Sequence, residues 1–376
     1  MKAPAAASAS SGPRAIREDR HGHTARDAGR PAKGKGRTAP RTPEIRRALV
    51  DGFGRVHRSL RLSVTDRCNL RCSYCIPSPG VVFLPRQEIL TYEEFEILVR
   101  AGIRLGIQDV RVTGGEPLVR RDVHRLVRGL AGIEGIRDLS LTTNGYLLKE
   151  MSGDLKRAGL RRVTVSLDTL RRDRFRTLGG ADALHRILEG VGAALEAGMS
   201  PVKINTVLMR GVNDDEILDL AEWARDLGVT LRFIEIMPVG AGPARDKGNL
   251  VPGREVASTI NRVLPLVQAP GGDPGGTARV FRYADGRGVV GFINPVTEPF
   301  CTACDRVRIT ADGRIRNCLF DHQELDLRGP LRGGATAEDL ETIWHRAIRN
   351  KGPGGCAELH SGAEVSGGRS MWQIGG

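Results

Sequence analysis

The sequence predicts an α/β protein in which a parallel sheet carries helices on its outside. Between residues 58 and 236, strand-like segments alternate six times with helix-like segments, an order typical of a parallel sheet covered by helices. Glycine and polar residues directly follow several of these strands, at the edge where parallel folds gather their ligands. An open doubly wound sheet and an incomplete barrel both fit this pattern.

The strands are predicted from short aliphatic runs. Residues 60–64 alternate between apolar and polar side chains, as a half-buried strand does. Five more strands are expected at 109–113, 138–143, 162–167, 202–208 and 230–236. On two of these strands Arg111 and Lys203 alternate with apolar neighbours, so both cations point away from the helices. A buried cation inside a barrel needs an anionic partner.

The helices are predicted from apolar stripes and end signals. Residues 91–105 begin with Thr91 and Glu94, a pair that can form a capping box. The next helix carries Val123, Leu126, Val127 and Leu130 at offsets 0, 3, 4 and 7. Further helices are expected near 150–158, 181–197 and 214–227, the last behind the polar cap residues Asn213 and Asp214.

The chain divides into three parts by composition. Residues 1–43 are rich in Ala, Ser, Gly, Pro and Arg without apolar periodicity, and they predict a disordered basic leader. Residues 44–270 hold the β/α units. Residues 271–376 form a smaller C-terminal unit with strands near 279–283, 288–293 and 306–310, a helix near 336–349 and the terminal pair Gly375-Gly376.

Charge and hydropathy narrow the function classes. The net charge is +13, of which the leader carries +7, leaving +6 over the rest. This modest excess weakens a nucleic-acid interpretation and leaves room for a phosphate-binding pocket. No apolar run approaches the length of a membrane span or a signal peptide, so we expect no membrane partner and a cytoplasmic location.

Six of the seven cysteines form two triplets, and Cys356 stands alone without a motif. The first triplet, Cys68-x3-Cys72-x2-Cys75, directly follows the first strand. Three neighbouring thiolates can bind three irons of a cubane cluster and leave the fourth iron open. A structural zinc site normally takes four protein ligands, so zinc is the weaker alternative.

The second triplet is Cys301-x2-Cys304-x13-Cys318 and again offers three thiols. Between its members Arg306 and Arg308 are two residues apart on an expected strand, so both project to one face. Arginine forks suit phosphate or a purine edge. The alternative is a solvated basic strand.

These motifs resemble the radical S-adenosylmethionine (SAM) enzymes and, within them, the molybdenum cofactor biosynthesis protein A family, the GTP 3′,8-cyclases. The resemblance covers residues 53–376. It rests on the two triplets and on GR at 54–55, RLSVTDRC at 61–68, VTGGEP at 112–117, LTTNG at 141–145, VSLD at 165–168, GVND at 211–214, RFIEIM at 232–237 and IGG at 374–376.

The resemblance implies an incomplete (β/α)6 TIM-type barrel of the radical SAM kind with a smaller C-terminal cluster-binding unit. It implies two [4Fe-4S] clusters, one on Cys68, Cys72 and Cys75 and the other on Cys301, Cys304 and Cys318. It places SAM against Tyr74, Gly115, Ser166 and Met237. It places GTP against Arg61, Arg111, Thr142, Lys203, Arg306, Val307 and Arg308. It assigns catalytic roles to Arg306, Arg308, Gly375 and Gly376.

The implied reaction converts GTP to (8S)-3′,8-cyclo-7,8-dihydroguanosine 5′-triphosphate, the first step of molybdenum cofactor biosynthesis. In this family a 5′-deoxyadenosyl radical removes the ribose 3′-hydrogen, and the new radical attacks C8 of guanine. A reducing electron donor and a downstream cyclic pyranopterin monophosphate synthase are the implied partners, and a homodimer is compatible with the sequence. The run SMWQ at 370–373 departs from the family's usual pattern and leaves the path of the tail open.

Plainer interpretations accompany these assignments. Tyr74 and Met237 could be packing residues, and Ser166 and Thr142 could simply end their strands. Two other functions compete with the cyclase: a radical SAM enzyme that modifies a peptide, and a non-enzymatic zinc or cluster protein that binds nucleic acid through the leader. The binder needs stacking aromatic residues, yet only 4% of the chain is aromatic.

Overall fold

A computed structural model describes residues 48–76, 81–239, 246–269, 276–355 and 369–375. The described residues belong to one compact unit. The expected leader, Cys356 and Gly376 lie outside the described residues, and the division at residue 270 stays a prediction. Within the described part of the chain, no helix is long and apolar enough to cross a membrane.

In the described part of the chain, twelve strands form one sheet. They are β1 (Ser59–Ser63), β2 (Asp109–Thr113), β3 (Asp138–Thr143), β4 (Arg162–Ser166), β5 (Val202–Leu208), β6 (Thr230–Glu235), β7 (Leu266–Gln268), β8 (Arg279–Tyr283), β9 (Val289–Ile293), β10 (Arg306–Ile309), β11 (Arg314–Arg316) and β12 (Leu325–Asp326). Their order is β12-β11-β10-β1-β2-β3-β4-β5-β6-β9-β8-β7. Parallel pairing runs without interruption from β10 to β9, which confirms the predicted partial barrel.

The outer layer consists of helices between the parallel strands. They are α1 (Tyr92–Arg104), α2 (Val123–Ala131), α3 (Leu148–Arg157), α4 (Arg172–Gly179), α5 (Leu184–Glu196), α6 (Ile217–Asp226) and α7 (Gly253–Val263), followed by α8 (Arg328–Arg332), α9 (Ala337–Arg349) and α10 (Met371–Ile374). The predicted capping box of α1 is confirmed: Thr91 N donates to Glu94 Oε2 at 2.7 Å, and Glu94 N donates to Thr91 Oγ1 at 3.2 Å.

The prediction that the Asn213 side chain caps α6 was wrong. A 3-10 turn, Asp214–Glu216, precedes this helix, and the Asn213 side chain makes no cap hydrogen bond. Its amide nitrogen donates instead to the carbonyls of Asp168 and Val207, at 2.8 and 2.9 Å. Asn213 therefore joins the end of β4 to the end of β5, close to the ligand edge of the sheet.

The alternation of side chains along the strands separates the core from the barrel interior. On β1, Leu60 and Leu62 are fully buried in the main hydrophobic cluster beneath the helices. Arg61 lies between them and faces the opposite side, because successive strand residues point to opposite faces. Arg111 repeats this arrangement on β2, where Val110 and Val112 are buried. The sheet thus directs a row of cations into the barrel interior.

Candidate active site

The first thiol triplet lines a cavity at the carboxyl ends of the strands, here called the first-triplet cavity. Its wall contains Cys68, Cys72 and Cys75 together with Tyr74, Gly115, Ser166 and Met237. The structure therefore brings together all four residues expected to contact SAM. The six described cysteines form no disulfides, and burial raises the pKa of the Cys75 thiol to about 12.

The Gly114-Gly115 pair explains how the second motif approaches the cysteine loop. Gly115 N donates to Thr65 O at 2.8 Å, and Glu116 N donates to Arg67 O at 2.8 Å. A Cβ on Gly115 would lie 2.4 Å from Arg67 O. Only glycine permits this contact between the two loops, and the resulting concave wall fits the open side of a cluster with its SAM.

Two buried carboxylates hold the other side of this cavity. Glu116 accepts hydrogen bonds from Thr143 Oγ1 at 2.7 Å and Asn144 N at 2.6 Å, and burial raises its pKa to about 7. Tyr74 donates through its hydroxyl to Asp168 Oδ2 at 2.6 Å, and burial raises the pKa of Asp168 to about 6. Tyr74 is therefore fixed by a specific partner as well as by packing.

The second thiol triplet lines an adjoining cavity, here called the second-triplet cavity. Cys301, Cys304 and Cys318 share its wall with Arg306 and Arg308. Arg306 Nη2 donates to Cys304 Sγ at 3.4 Å. Burial acts to raise the pKa of Cys304, but the charges of Arg306 and Lys351 outweigh it and bring the value to about 7.

The second triplet also has a close-packed support. A Cβ on Gly354 would lie 2.6 Å from Cys301 Sγ, so only glycine leaves room for that thiol. Among the residues that the structure describes, no three His, Cys, Asp or Glu side chains are placed to hold a metal ion. Each set of three thiols shares a cavity wall, and this donor set fits an iron–sulfur cluster, in which each thiolate binds a different iron.

Six cations of the described residues project into the barrel, in addition to Arg162, which forms an ion pair with Asp138. They are Arg61, Arg111, Lys203, Arg232, Arg306 and Arg308, and each lines the second-triplet cavity or a neighbouring cavity of about 390 Å³, here called the cationic cavity. Arg61 lies in register with Arg308 on one side and with Arg111 on the other. Three neighbouring strands thus present arginine at the same level.

Burial and mutual repulsion depress the pKa values of this cluster. Burial first and neighbouring arginines second lower the pKa of Arg111 to about 9, that of Arg308 to about 9 and that of Lys203 to about 7. The pKa of Arg61 is lowered by the same causes. Within the described residues, the buried Nε atoms of Arg61, Arg232 and Arg306 have no hydrogen-bond partner. The cluster is arranged for an anion with several charges.

Two GTP-site candidates occupy different surroundings from the cations. Thr142 lines both triplet cavities, and its buried hydroxyl has no partner among the described residues. Val307 is fully buried in the main hydrophobic cluster and points away from the barrel interior. Any contact of Val307 with a nucleotide would have to use its backbone.

The C-terminal tail enters the barrel. Arg308 Nη1 donates a hydrogen bond to the carbonyl of Gly375, whose φ is +76°. A Cβ on Gly375 would lie 2.4 Å from Thr113 Cγ2 and 2.5 Å from Ser63 Oγ. The preceding helix α10 places Met371 in the walls of both triplet cavities.

Sequence reasoning missed four residues of this site. Arg232 belongs to the RFIEIM motif and alternates with apolar residues on β6, which was a usable signal. Asp168 follows β4 by two residues, and no local pattern pairs it with Tyr74. Lys351 contacts Cys304 from 47 residues away in sequence, and Arg55 contacts Cys301 from 246 residues away. No local sequence pattern predicts contacts over such separations.

Comparison with known proteins shows the class of protein to which this chain belongs. Residues 62–224 match the Radical SAM superfamily, and residues 229–355 match the family described as Molybdenum Cofactor Synthesis C. The structure resembles Streptococcus suis SuiB bound to S-adenosylmethionine, with a TM-score of 0.57 and 15% identity, over 78% of this chain and 67% of that one. At that identity the likeness shows the fold alone.

Closer relatives identify the family. A GTP 3′,8-cyclase of Moorella thermoacetica is 46% identical over 87% of this chain and 100% of its own length. The GTP 3′,8-cyclase of Streptomyces coelicolor is 45% identical over 87% of this chain and 96% of its own length. The chain belongs to the GTP 3′,8-cyclase family. As a radical SAM protein it uses SAM and an iron–sulfur cluster.

Proposed function

We propose that this protein converts GTP to (8S)-3′,8-cyclo-7,8-dihydroguanosine 5′-triphosphate, the first step of molybdenum cofactor biosynthesis. The observation that carries this proposal is the cluster of inward cations between the two thiol triplets. A triphosphate is the kind of ligand that compensates several buried positive charges at once. Family membership supports the same substrate.

The first triplet is proposed to hold a [4Fe-4S] cluster through Cys68, Cys72 and Cys75. When bound, this cluster together with SAM would supply the radical chemistry that the reaction of GTP requires. Gly115 provides backbone close to the cysteine loop, Tyr74 is fixed by Asp168, and Ser166 and Met237 complete the wall. These residues position SAM and exclude water.

The second triplet is proposed to hold a second [4Fe-4S] cluster through Cys301, Cys304 and Cys318. Arg306 and Arg308 lie beside these thiols and can hold the guanine edge and stabilise charge that develops there. Arg61, Arg111, Lys203 and Arg232 line the cationic cavity or its junction with the second-triplet cavity. We assign the triphosphate to these four side chains. Thr142 lies between the two ends.

The tail is proposed to complete the site. The Gly375 carbonyl accepts a hydrogen bond from Arg308. This contact fixes the guanidinium at a position from which it can donate a proton or stabilise charge during cyclisation. Gly376 follows Gly375 and lies outside the described residues. We assign Gly375 to catalysis because only a residue without a side chain fits between Ser63 and Thr113, and we assign Gly376 to catalysis on the family resemblance alone.

The partners follow from this chemistry. A reducing electron donor must reduce the cluster, and the product is a substrate for a cyclic pyranopterin monophosphate synthase. A homodimer and a cytoplasmic location stay predictions, as does the absence of nucleic-acid and membrane partners.

An anaerobic assay tests the proposal. Iron-reconstituted protein is given dithionite and SAM with or without GTP, and 5′-deoxyadenosine and the acid-oxidised fluorescent pterin are quantified. We expect both products to rise together with GTP. SAM cleavage that GTP does not change would favour a peptide-modifying enzyme, and no cleavage despite loaded clusters would contradict the role of the first triplet.

Matched variants locate the activity. Arg111→Gln removes one inward cation and should lower kcat/KM roughly tenfold or more, since a hydrogen bond to a charged group contributes about 1.5–3 kcal/mol. Arg128→Gln removes an exposed cation of α2 and should leave activity unchanged. Equal activity of the two variants would remove the inward cations from the substrate site.

A further inference from the structure

The end of α9 and the segment that follows it contact both cysteine loops of the second triplet, the loop with Cys301 and Cys304 and the loop with Cys318. Asn317, next to Cys318, donates from Nδ2 to the Ala347 carbonyl at 2.9 Å. Lys351 contacts Cys304. Arg55 Nη1 donates to the carbonyls of Cys301 and Pro353, both at 2.8 Å. Residues 347–354, here called the α9 collar, therefore join the two thiol-bearing loops to each other.

Lys351 is the cation of this collar that reaches a thiol directly. Its ammonium lies 3.5 Å from Cys304 Sγ, 3.4 Å from Cys304 O and 2.9 Å from Arg306 O, and the residue is only 3% exposed. An ammonium has three hydrogens to donate. All three are directed to the Cys304 loop, so this cation differs from those that face the cationic cavity.

The position of Lys351 does not match an ordinary helix cap. A lysine that caps a helix donates to the last free carbonyls of that helix. The acceptors of Lys351 belong instead to Cys304, in the loop before β10, and to Arg306, the first residue of that strand. The backbone N–H of Lys351 donates to Ile348 O at 3.0 Å. The backbone thus ends α9 and the side chain serves the cysteine loop.

We propose that Lys351 is a positioning residue of the second cluster, which orients the Cys304 ligand and raises the reduction potential of that cluster. The inference rests on the proposed function, because it requires a cluster on Cys301, Cys304 and Cys318. Hydrogen bonds to ligand sulfurs and nearby charge are known determinants of cluster potential. Reduction adds negative charge, and an adjacent cation stabilises the reduced form.

The test measures the potential of the second cluster directly. The full-length chain with Cys68, Cys72 and Cys75 changed to Ser carries only that cluster, and Lys351→Met, Lys351→Gln and Lys351→Arg are made in this background. Iron and sulfide content are measured first, followed by an anaerobic redox titration monitored by electron paramagnetic resonance. Lys149→Gln, which removes an exposed cation of α3, is the matched control.

We expect Lys351→Met to shift the midpoint to more negative values. A tenfold fall in the ratio of reduced to oxidised cluster at fixed potential corresponds to about 59 mV for one electron. Lys351→Gln should be shifted less and Lys351→Arg least, whereas Lys149→Gln should match the parent. If Lys351→Met loses its iron, the midpoints of Lys351→Gln and Lys351→Arg are compared with the parent and with each other instead.

Three outcomes overturn the inference. Equal midpoints in the parent and the Met variant would exclude an effect of Lys351 on the potential. If Lys351→Met binds no cluster, equal midpoints in Lys351→Gln and Lys351→Arg would exclude this effect on the potential as well. Loss of iron from all three variants would show that Lys351 is only a structural support. A parent chain that assembles no cluster on the second triplet would instead contradict the proposed function.

Discussion

Lys203 is the residue whose chemistry makes the sharpest prediction about substrate binding. Burial first, and then the charges of Arg232, Arg162 and Arg111, lower its pKa from 10.5 to about 7. The ligand-free folded state therefore binds fewer protons than the unfolded state between about pH 7 and 10.5. The contribution of this residue to stability should rise with pH across that window.

Binding of GTP should reverse this shift, because phosphate oxygens favour the charged ammonium. At pH 8 a lysine with a pKa near 7 is mostly neutral, so binding should take up as much as about 0.9 proton. GTP affinity should correspondingly fall as the pH rises above 7. Isothermal titration calorimetry at pH 8 in two buffers of different ionisation enthalpy measures the uptake.

The variant Lys203→Gln isolates this contribution, since the titration of the γ-phosphate itself is common to both proteins. We expect the variant to take up fewer protons and to bind GTP with a weaker pH dependence. Lys149→Gln should behave as the unchanged protein does. Identical proton uptake in Lys203→Gln would assign the linkage to another group.

At the residue scale, the sequence predicts what a motif or a strand period can encode. Both cysteine triplets, the inward direction of Arg111 and Lys203, and the shared face of Arg306 and Arg308 follow from spacing alone. The contact between Lys351 and Cys304 does not, because tertiary structure brings those two positions together. The sequence also does not show that Val307 lies in the core while Arg306 and Arg308 line the cavity. That assignment requires the boundaries of β10.

At the element scale, the C-terminal helix α10 links the two thiol sites. The backbone N–H of Trp372 donates to the Cys75 thiol, and its ring meets Phe83 edge-on with centroids 5.5 Å apart. Ile374 packs in a small cluster with Cys301 and Cys318. This single turn therefore contacts both triplets before Gly375 enters the barrel.

Arg369 fixes the start of this turn. Its Nη1 and Nη2 donate to the two carboxylate oxygens of Asp312, at 2.9 and 2.7 Å, and Asp312 is 5% exposed. A paired fork of this kind is geometrically specific. Arg369 therefore sets where the tail begins its path toward Arg308.

Arg369→Gln should release the tail without removing either cluster. We expect this variant to form less pterin than the unchanged protein and more 5′-deoxyadenosine per pterin, because Gly375 would no longer be held beside Arg308. The ratio of the two products, together with iron content, measures this effect. Arg128→Gln removes an exposed cation of α2 and serves as the control. An unchanged ratio in Arg369→Gln would show that the tail is held elsewhere.

The elements that the sequence missed are short or charged. Helix α4 has only Phe175, Leu178 and Gly179 buried, too few to produce a clear apolar stripe. Strands β7, β11 and β12 span two or three residues each. The run at 370–373 left the tail path open, and the structure shows why it suits a turn of helix: Ser370 and Gln373 form a capping box.

At the scale of the whole molecule, the C-terminal half completes the barrel that the first half begins. β9 pairs in parallel with β6, and β10 pairs in parallel with β1. The sequence predicts these later strands as part of a smaller unit, and no local pattern shows that they join both edges of the same sheet. This arrangement brings Arg308 into register with Arg61, and the cavities of the two triplets share Thr142, Met237 and Met371 in their walls.

The resulting interior concentrates positive charge that the ligand-free fold must hold together. Arg61, Arg111, Arg232 and Arg308 all have lowered pKa values. Burial is the first cause, and the charge of a neighbouring arginine is the next: Arg111 for Arg61, Arg162 for Arg111 and Arg232, and Arg306 for Arg308. Their repulsion opposes folding, and a bound polyanion relieves it. The same feature that selects the substrate should therefore limit the stability of the empty protein.

Ligand-dependent melting tests this account on the whole chain. A ligand at a hundredfold excess over its Kd stabilises the folded state by about 2.7 kcal/mol, so GTP should raise the Tm by a few degrees. Inorganic triphosphate should produce much of this rise and guanosine little of it, and added salt should weaken the effect of both anions. Arg61→Gln should raise the Tm of the empty protein and reduce the shift with triphosphate, whereas Arg128→Gln should change neither. If guanosine stabilised the protein as much as GTP does, the inward cations would not be the site of the triphosphate.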